Sequence, residues 1–136
     1  MITFIFTSLL SLIFVFFSFQ IIKRRRKFSV PLGDNNILEL RRWISAQNNF
    51  VQYSLFFIML LFFLEVAGNN KIEIIILGSL FFVSRIIHAC SLVFIEKYEN
   101  NQLTAIPKVR VLAMMITFFT IIYCAAKLLI LSFLNF

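Results

Sequence analysis

The sequence predicts an all-α integral membrane protein, a four-helix bundle in which each helix crosses the bilayer. Charged residues make up 14% of the 136-residue chain and hydrophobic residues 61%, whereas about 25% charged residues are usual in soluble domains. The apolar residues fall into four runs of membrane-spanning length, at about residues 2–22, 37–67, 72–94 and 107–133. We therefore expect one membrane domain over residues 1–136.

The first apolar run, residues 2–22, carries no charge and is followed by five consecutive cations, residues 23–27. This order is the reverse of that in a secretory signal peptide, so we expect a retained helix. Its basic end is expected to contact phospholipid head groups. Residues 28–39 are rich in turn-forming types and lead into the second helix, for which Asn35 or Asn36 is the expected N-cap.

The third run, in contrast to the first, carries polar groups inside the membrane. Arg85 lies near its middle, and His88 follows one helical turn later. A polar loop, residues 95–106, then leads to the fourth helix, where Pro107 suits the first turn.

Basic residues are concentrated at two of the three connections. Ten Lys and Arg lie in the first and third connections and the adjoining helix ends, and two, Lys71 and Lys127, lie on the other side. By the positive-inside rule, the first and third connections are cytoplasmic and both termini are not. We attribute the net charge of +7 to membrane topology and expect no nucleic-acid partner.

The candidate site combines the second and third helices. Asn49 and Gln52 share a polar stripe at helical spacing, with Tyr53 at its edge. At about 1.5 Å per residue, Asn49 lies about 10 Å inside Arg42, close to the depth of Arg85. Because the basic connections are expected to be cytoplasmic, the site is expected to open toward the cytoplasm. A mid-membrane arginine costs at least about 2.5 kcal/mol to insert and has no carboxylate at its depth, which indicates an anionic ligand. The alternative is that these side chains serve helix packing alone.

Catalysis, if present, must be electrostatic, because the sequence has no Gly-rich phosphate loop and no nucleophile elbow. A single histidine, His88, with no second ligand nearby, excludes a metal site. A cation beside a bound thiol lowers the thiol pKa from about 8.5 toward neutrality. Arg110, at the start of the fourth helix, is the candidate for this role, and a positive-inside flank is its alternative interpretation.

Three motifs resemble the MAPEG family, the membrane-associated proteins in eicosanoid and glutathione metabolism. They are V-P-L-G-D at 30–34, A-Q-N-N-F-V-Q-Y at 46–53 and R-I-I-H-A at 85–89. The family typically shows an LGD-type loop, then R-x-x-x-N-x-x-E-Y, then R-x-x-H. The resemblance implies a homotrimer that binds glutathione between neighbouring subunits near the cytoplasmic side. It also implies glutathione transferase or peroxidase activity on lipophilic small molecules.

Matching positions then assign roles to individual residues. The helix 4 arginine that stabilises the thiolate in catalytic members resembles Arg110, with Lys108 and Thr104 as rivals because the preceding connection is longer than in the well-known enzymes. The expected ligand-binding residues are Arg42, Asn49, Gln52, Tyr53, Arg85 and His88.

Two positions depart from the family pattern. Ser45 stands where arginine is usual and Gln52 where glutamate is usual, and Arg41 or Arg42 is the candidate replacement for the missing charge. The chain is thereby more similar to a bacterial branch of poorly defined activity, which implies a bacterial inner membrane. The alternatives are a non-catalytic binding or scaffolding protein of the same fold and, ranked last, a small four-span transporter, because the first span has no ionisable residue for coupling.

Overall fold

The computed structural model confirms the all-α four-helix fold. It describes residues 1–99, 102–104 and 107–134. The α-helices in this part of the chain are α1 (Thr3–Phe28), α2 (Leu38–Val66), α3 (Lys71–Cys90) and α4 (Lys108–Leu134), and α3 continues as a π-helical turn, Ser91–Ile95. All four, with α3 counted through Ile95, are long and apolar enough to cross a membrane. A short antiparallel hairpin, β1 (Tyr98–Glu99) and β2 (Gln102–Leu103), precedes α4.

The first helix continues past the predicted end of its membrane span at Ile22, so the five cations that follow are also helical. Lys and Arg are good helix formers, and their charge is favourable at a helix C-terminus. Two of them, Arg24 and Lys27, lie 3.0 and 3.1 Å from the carboxylate of Glu39 on α2. The helix ends where Ser29 takes the left-handed conformation, with φ of 53°.

The expected N-cap of α2 is wrong. Asn35 and Asn36 both have positive φ, 46° and 58°, and the N-cap position is Ile37, which makes no side-chain cap. Asp34 organises this turn instead, since its Oδ1 accepts from the Asn36 backbone at 3.1 Å and its Oδ2 accepts from Arg41 Nε at 2.6 Å. The bond from Arg41 holds the pKa of Asp34 below its ordinary value of 3.8.

Polar bonds join the helices in pairs at the end of the bundle where α1 begins, which we call the terminal end. Glu65 of α2 accepts from the backbone nitrogens of Ile2 and Thr3 and from the Thr3 hydroxyl, and so caps α1. Glu73 of α3 pairs with Lys127 of α4. We call the opposite end, with the first and third connections, the basic end.

The interior between the helices is apolar and rich in aromatic rings, while many large apolar side chains face outward, as lipid-facing helices require. The rings of Phe57 and Phe81 stack at 3.8 Å across α2 and α3. Helices α1 and α3 approach each other at Gly78, where an added Cβ would overlap the ring of Phe6. This close packing fixes α3, which carries the central charge of the site.

Candidate functional site

Arg85 is fully buried at the centre of the bundle, with 0% of its surface exposed. One guanidinium nitrogen donates to Asn49 Oδ1 on α2, and the other donates to Thr117 Oγ1 on α4 at 3.3 Å. The guanidinium carbon lies 5.3 Å from the centre of the Tyr53 ring, and the buried Nε has no partner. The ion pairs of the described residues do not include Arg85, so neutral groups surround its charge.

Helix α4 contributes a buried small and polar face to this centre, which the sequence interpretation missed. Thr117 Oγ1 donates to Ala113 O at 3.0 Å and lies 3.0 Å from Ser84 Oγ on α3. It therefore links α4 to the third helix beside Arg85. A signal was present, because Ala113, Thr117, Thr120 and Cys124 recur at spacings of four, three and four, which places them on one helix face.

His88 lies one turn from Arg85 toward the basic end. It is 5% exposed, and its Nδ1 is buried without a partner. The centre therefore holds two buried nitrogens, Arg85 Nε and His88 Nδ1, with unused hydrogen-bonding capacity.

The polar stripe of α2 divides between two faces. Asn49 contacts Arg85, whereas Ser45 and Gln52 are exposed on the outer surface of the bundle. Gln52 lines an outward-facing groove of about 450 Å³ between α1 and α2, in which Gln47 donates to Ser18 Oγ at 2.7 Å. Gln52 thus does not reach the buried centre of the bundle.

Arg42 caps the π-helical turn and does not reach the buried centre. Its Nε donates to Leu92 O at 2.7 Å and its second nitrogen donates to Glu96 O at 2.9 Å. The wide turn of a π-helix leaves carbonyls without their usual partners, and a cation at a helix C-terminus satisfies them. Arg41 is also engaged elsewhere, through Asp34.

Arg110 meets a carboxylate at the basic end. Its NH1 lies 3.1 Å from Glu96 Oε2, which also accepts from the Tyr98 hydroxyl at 2.8 Å. Burial, together with this bond to Glu96, raises the pKa of the Tyr98 phenol above its ordinary 10.0. Of the two rivals for the helix 4 position, Lys108 is exposed and Thr104 directly follows β2, where its hydroxyl donates to Lys97 O at 3.1 Å.

An apolar cavity of about 210 Å³ lies between α1, α2 and α3 against the buried centre. Arg85 forms part of its wall, and aromatic side chains, among them Phe17 and Trp43, line much of the rest. An apolar space beside a buried cation provides room for a lipophilic group next to an anionic one.

The fold and these side chains define a multi-pass membrane protein with a buried cationic centre. The MAPEG family model matches residues 3–130, and the chain belongs to that family. It is similar to "Inner membrane protein YecN" of Escherichia coli (strain K12), with 28% identity over 88 residues that cover 65% of this chain and 67% of the relative. The protein of the same name in Escherichia coli O6:H1 (strain CFT073) matches to the same extent. The family predicted from the motifs is therefore confirmed, and its four apolar helices make the chain a multi-pass membrane protein.

Proposed function

We propose that this protein binds glutathione, or a similar anionic thiol, through the buried centre around Arg85. The observation that carries the proposal is a fully buried guanidinium whose partners are all neutral. A charge at membrane depth is stabilised by a counter-ion, and a small anion supplies one. Membership of the MAPEG family supports glutathione as that anion.

In this proposal Arg85, Asn49 and Tyr53 hold the ligand, and His88 offers a further polar contact. The ligand thiol releases its proton to solvent, and Arg110 stabilises the resulting thiolate electrostatically. The thiolate sulfur then forms a bond to carbon of a lipophilic electrophile, and the leaving group departs with its electron pair. The apolar cavity beside Arg85 accommodates the electrophile.

Binding is tested by titrating reduced glutathione into the detergent-solubilised protein and following thermal unfolding. We expect stabilisation that grows with ligand concentration, reaching about 2.7 kcal/mol at a hundredfold excess over Kd. Arg85→Met removes the cation and is expected to abolish this effect. Arg41→Met is the matched control, because that arginine pairs with Asp34 outside the centre. Wild-type affinity in Arg85→Met contradicts the proposal.

Turnover is tested with 1-chloro-2,4-dinitrobenzene, from which the sulfur displaces chloride. Arg110→Ala is expected to lower the rate on the order of 100-fold, as removal of a single electrostatic stabiliser does in other enzymes. An unchanged rate removes the proposed role of Arg110.

A second candidate is a non-catalytic glutathione-binding protein of the same fold. It is favoured by Ser45 and Gln52, which replace the usual charged residues and face away from Arg85. It predicts thermal stabilisation by glutathione with no conjugation of any electrophile. Saturable conjugation kinetics contradict it.

We further propose that the protein assembles as a homotrimer whose site opens to the cytoplasm. Exposed polar side chains on a membrane-spanning helix, here Ser45, Asn48 and Gln52, support a neighbouring subunit at this face. The basic end, where the five cations form the last turns of α1, then faces cytoplasmic anionic lipids. Light scattering of the detergent complex is expected to give three chains per particle.

A further inference from the structure

Glu96 is a buried carboxylate at the basic end that none of the assigned roles uses. It follows the π-helical turn directly, and 3% of its side chain is exposed. Its Oε2 receives hydrogen bonds from Arg110 and Tyr98, while its main-chain oxygen receives one from Arg42. Two arginines from different helices therefore converge on this single residue.

The ion pair between Glu96 and Arg110 is one-sided. A single carboxylate oxygen, Oε2, serves both Arg110 and Tyr98, and Oε1 is buried without a partner. Monodentate pairs of this kind are weaker than the bidentate pairs that arginine forms with a well-placed carboxylate. The side chain of Arg110 is also 29% exposed, so an anion arriving from outside the bundle can approach it.

We propose that Glu96 is a specificity-determining residue of the site, an internal counter-ion that occupies Arg110 until the anionic group of a ligand replaces it. The inference rests on the proposed function, since the replacing group is the anionic thiol assigned there. A ligand gains access to Arg110 only by bringing its own negative charge. Glu96 therefore lowers the affinity for every anionic ligand and gives a neutral thiol no means of competing.

The test compares glutathione affinity in the full-length wild-type protein, Glu96→Gln and Glu39→Gln. The Glu39 variant is the matched control because it removes the same charge at the same end of the bundle. In the wild type, Glu39 pairs with Arg24 and Lys27 and not with Arg110. We expect Glu96→Gln to bind glutathione about fivefold more tightly, the factor that corresponds to an ion pair of about 1 kcal/mol. The Glu39 variant should bind as the wild type does.

The double variant Glu96→Gln/Arg110→Gln separates this role from a purely structural one. If Glu96 acts through Arg110, its substitution has no effect on glutathione affinity once Arg110 is neutral. If Glu96→Gln does not fold, Glu96→Asp withdraws the carboxylate by one methylene and keeps the charge, and a smaller gain in affinity is expected. Equal or weaker binding in the folded variants overturns the inference alone. Absence of glutathione binding in every protein, wild type included, overturns the proposed function and the inference with it.

Discussion

The sharpest test of the buried centre is the substitution Thr117→Val, which removes one hydroxyl with little change in shape. That hydroxyl accepts from Arg85 at 3.3 Å and lies 3.0 Å from Ser84 Oγ. Hydrogen bonds between membrane helices average about 0.6 kcal/mol, and leaving a buried charged donor without its acceptor adds about 1 kcal/mol or more. We therefore expect a loss of about 2 kcal/mol in the free energy of unfolding.

The chain supplies a matched control one turn along the same face. Thr120 is equally buried, with 0% exposure, but its hydroxyl donates at 2.8 Å to the backbone oxygen of Thr117 within α4. Bonds of this local type contribute little to helix stability, so Thr120→Val should change the unfolding free energy by about 0.5 kcal/mol or less. Reversible unfolding in mixed micelles with increasing SDS measures both variants. Equal losses would show that the contact with Arg85 adds nothing and would refute this account of the centre.

Three further predictions concern packing, capping and acid stability. Gly78→Val forces a side chain into the Phe6 ring and is expected to destabilise the protein by about 1–3 kcal/mol, whereas Ser79→Val on the exposed face should be nearly neutral in the same SDS titration. Glu65→Gln weakens the cap on α1 and should cost about 1 kcal/mol, visible as faster hydrogen exchange confined to the first turn of that helix. The pKa of Asp34 is lower in the folded than in the unfolded protein. Ionised Asp34 therefore adds to the free energy of unfolding above the unfolded pKa of about 4, and this stabilisation is lost as the pH falls through the folded pKa. Asp34→Asn should therefore reduce the fall in the free energy of unfolding between about pH 4 and lower pH. The same fall in the variant as in the wild type would contradict this.

The number and type of the helices were predictable because each apolar run is long enough to span a membrane and few polar residues interrupt it. The N-cap of α2 was not predictable, because residue type favours Asn35 or Asn36 at that position, whereas both lie in the preceding turn with positive φ. Asp34 holds that turn through a hydrogen bond from Arg41 in the first turn of α2. Residue propensities do not predict a contact of this kind.

The contact between Asn49 and Arg85 follows an expectation drawn from depth, because residues at equal depth on adjacent helices can meet. Depth alone does not specify rotation about the helix axis. The outward position of Gln52 and the hydrogen bond from Arg42 to Leu92 O therefore do not follow from the sequence pattern. Glu96, the partner of Arg110, directly follows the π-helical turn, which the hydrophobic pattern of the sequence does not distinguish from an α-helical one.

The glutamate contacts between the helices have a mechanical consequence. Glu65 and Glu39 fasten α1 to α2 at opposite ends, and α3 is fastened to α4 by Glu73 and Glu96 in the same way. Each helix pair, α1 with α2 and α3 with α4, is thereby a stiff unit joined at both ends. The polar links between the two units include the guanidinium of Arg85. Spin labels placed on one unit should keep their mutual distance during any opening motion. Labels on different units should move apart only if that motion breaks the bonds that Arg42 and Arg85 make between the units.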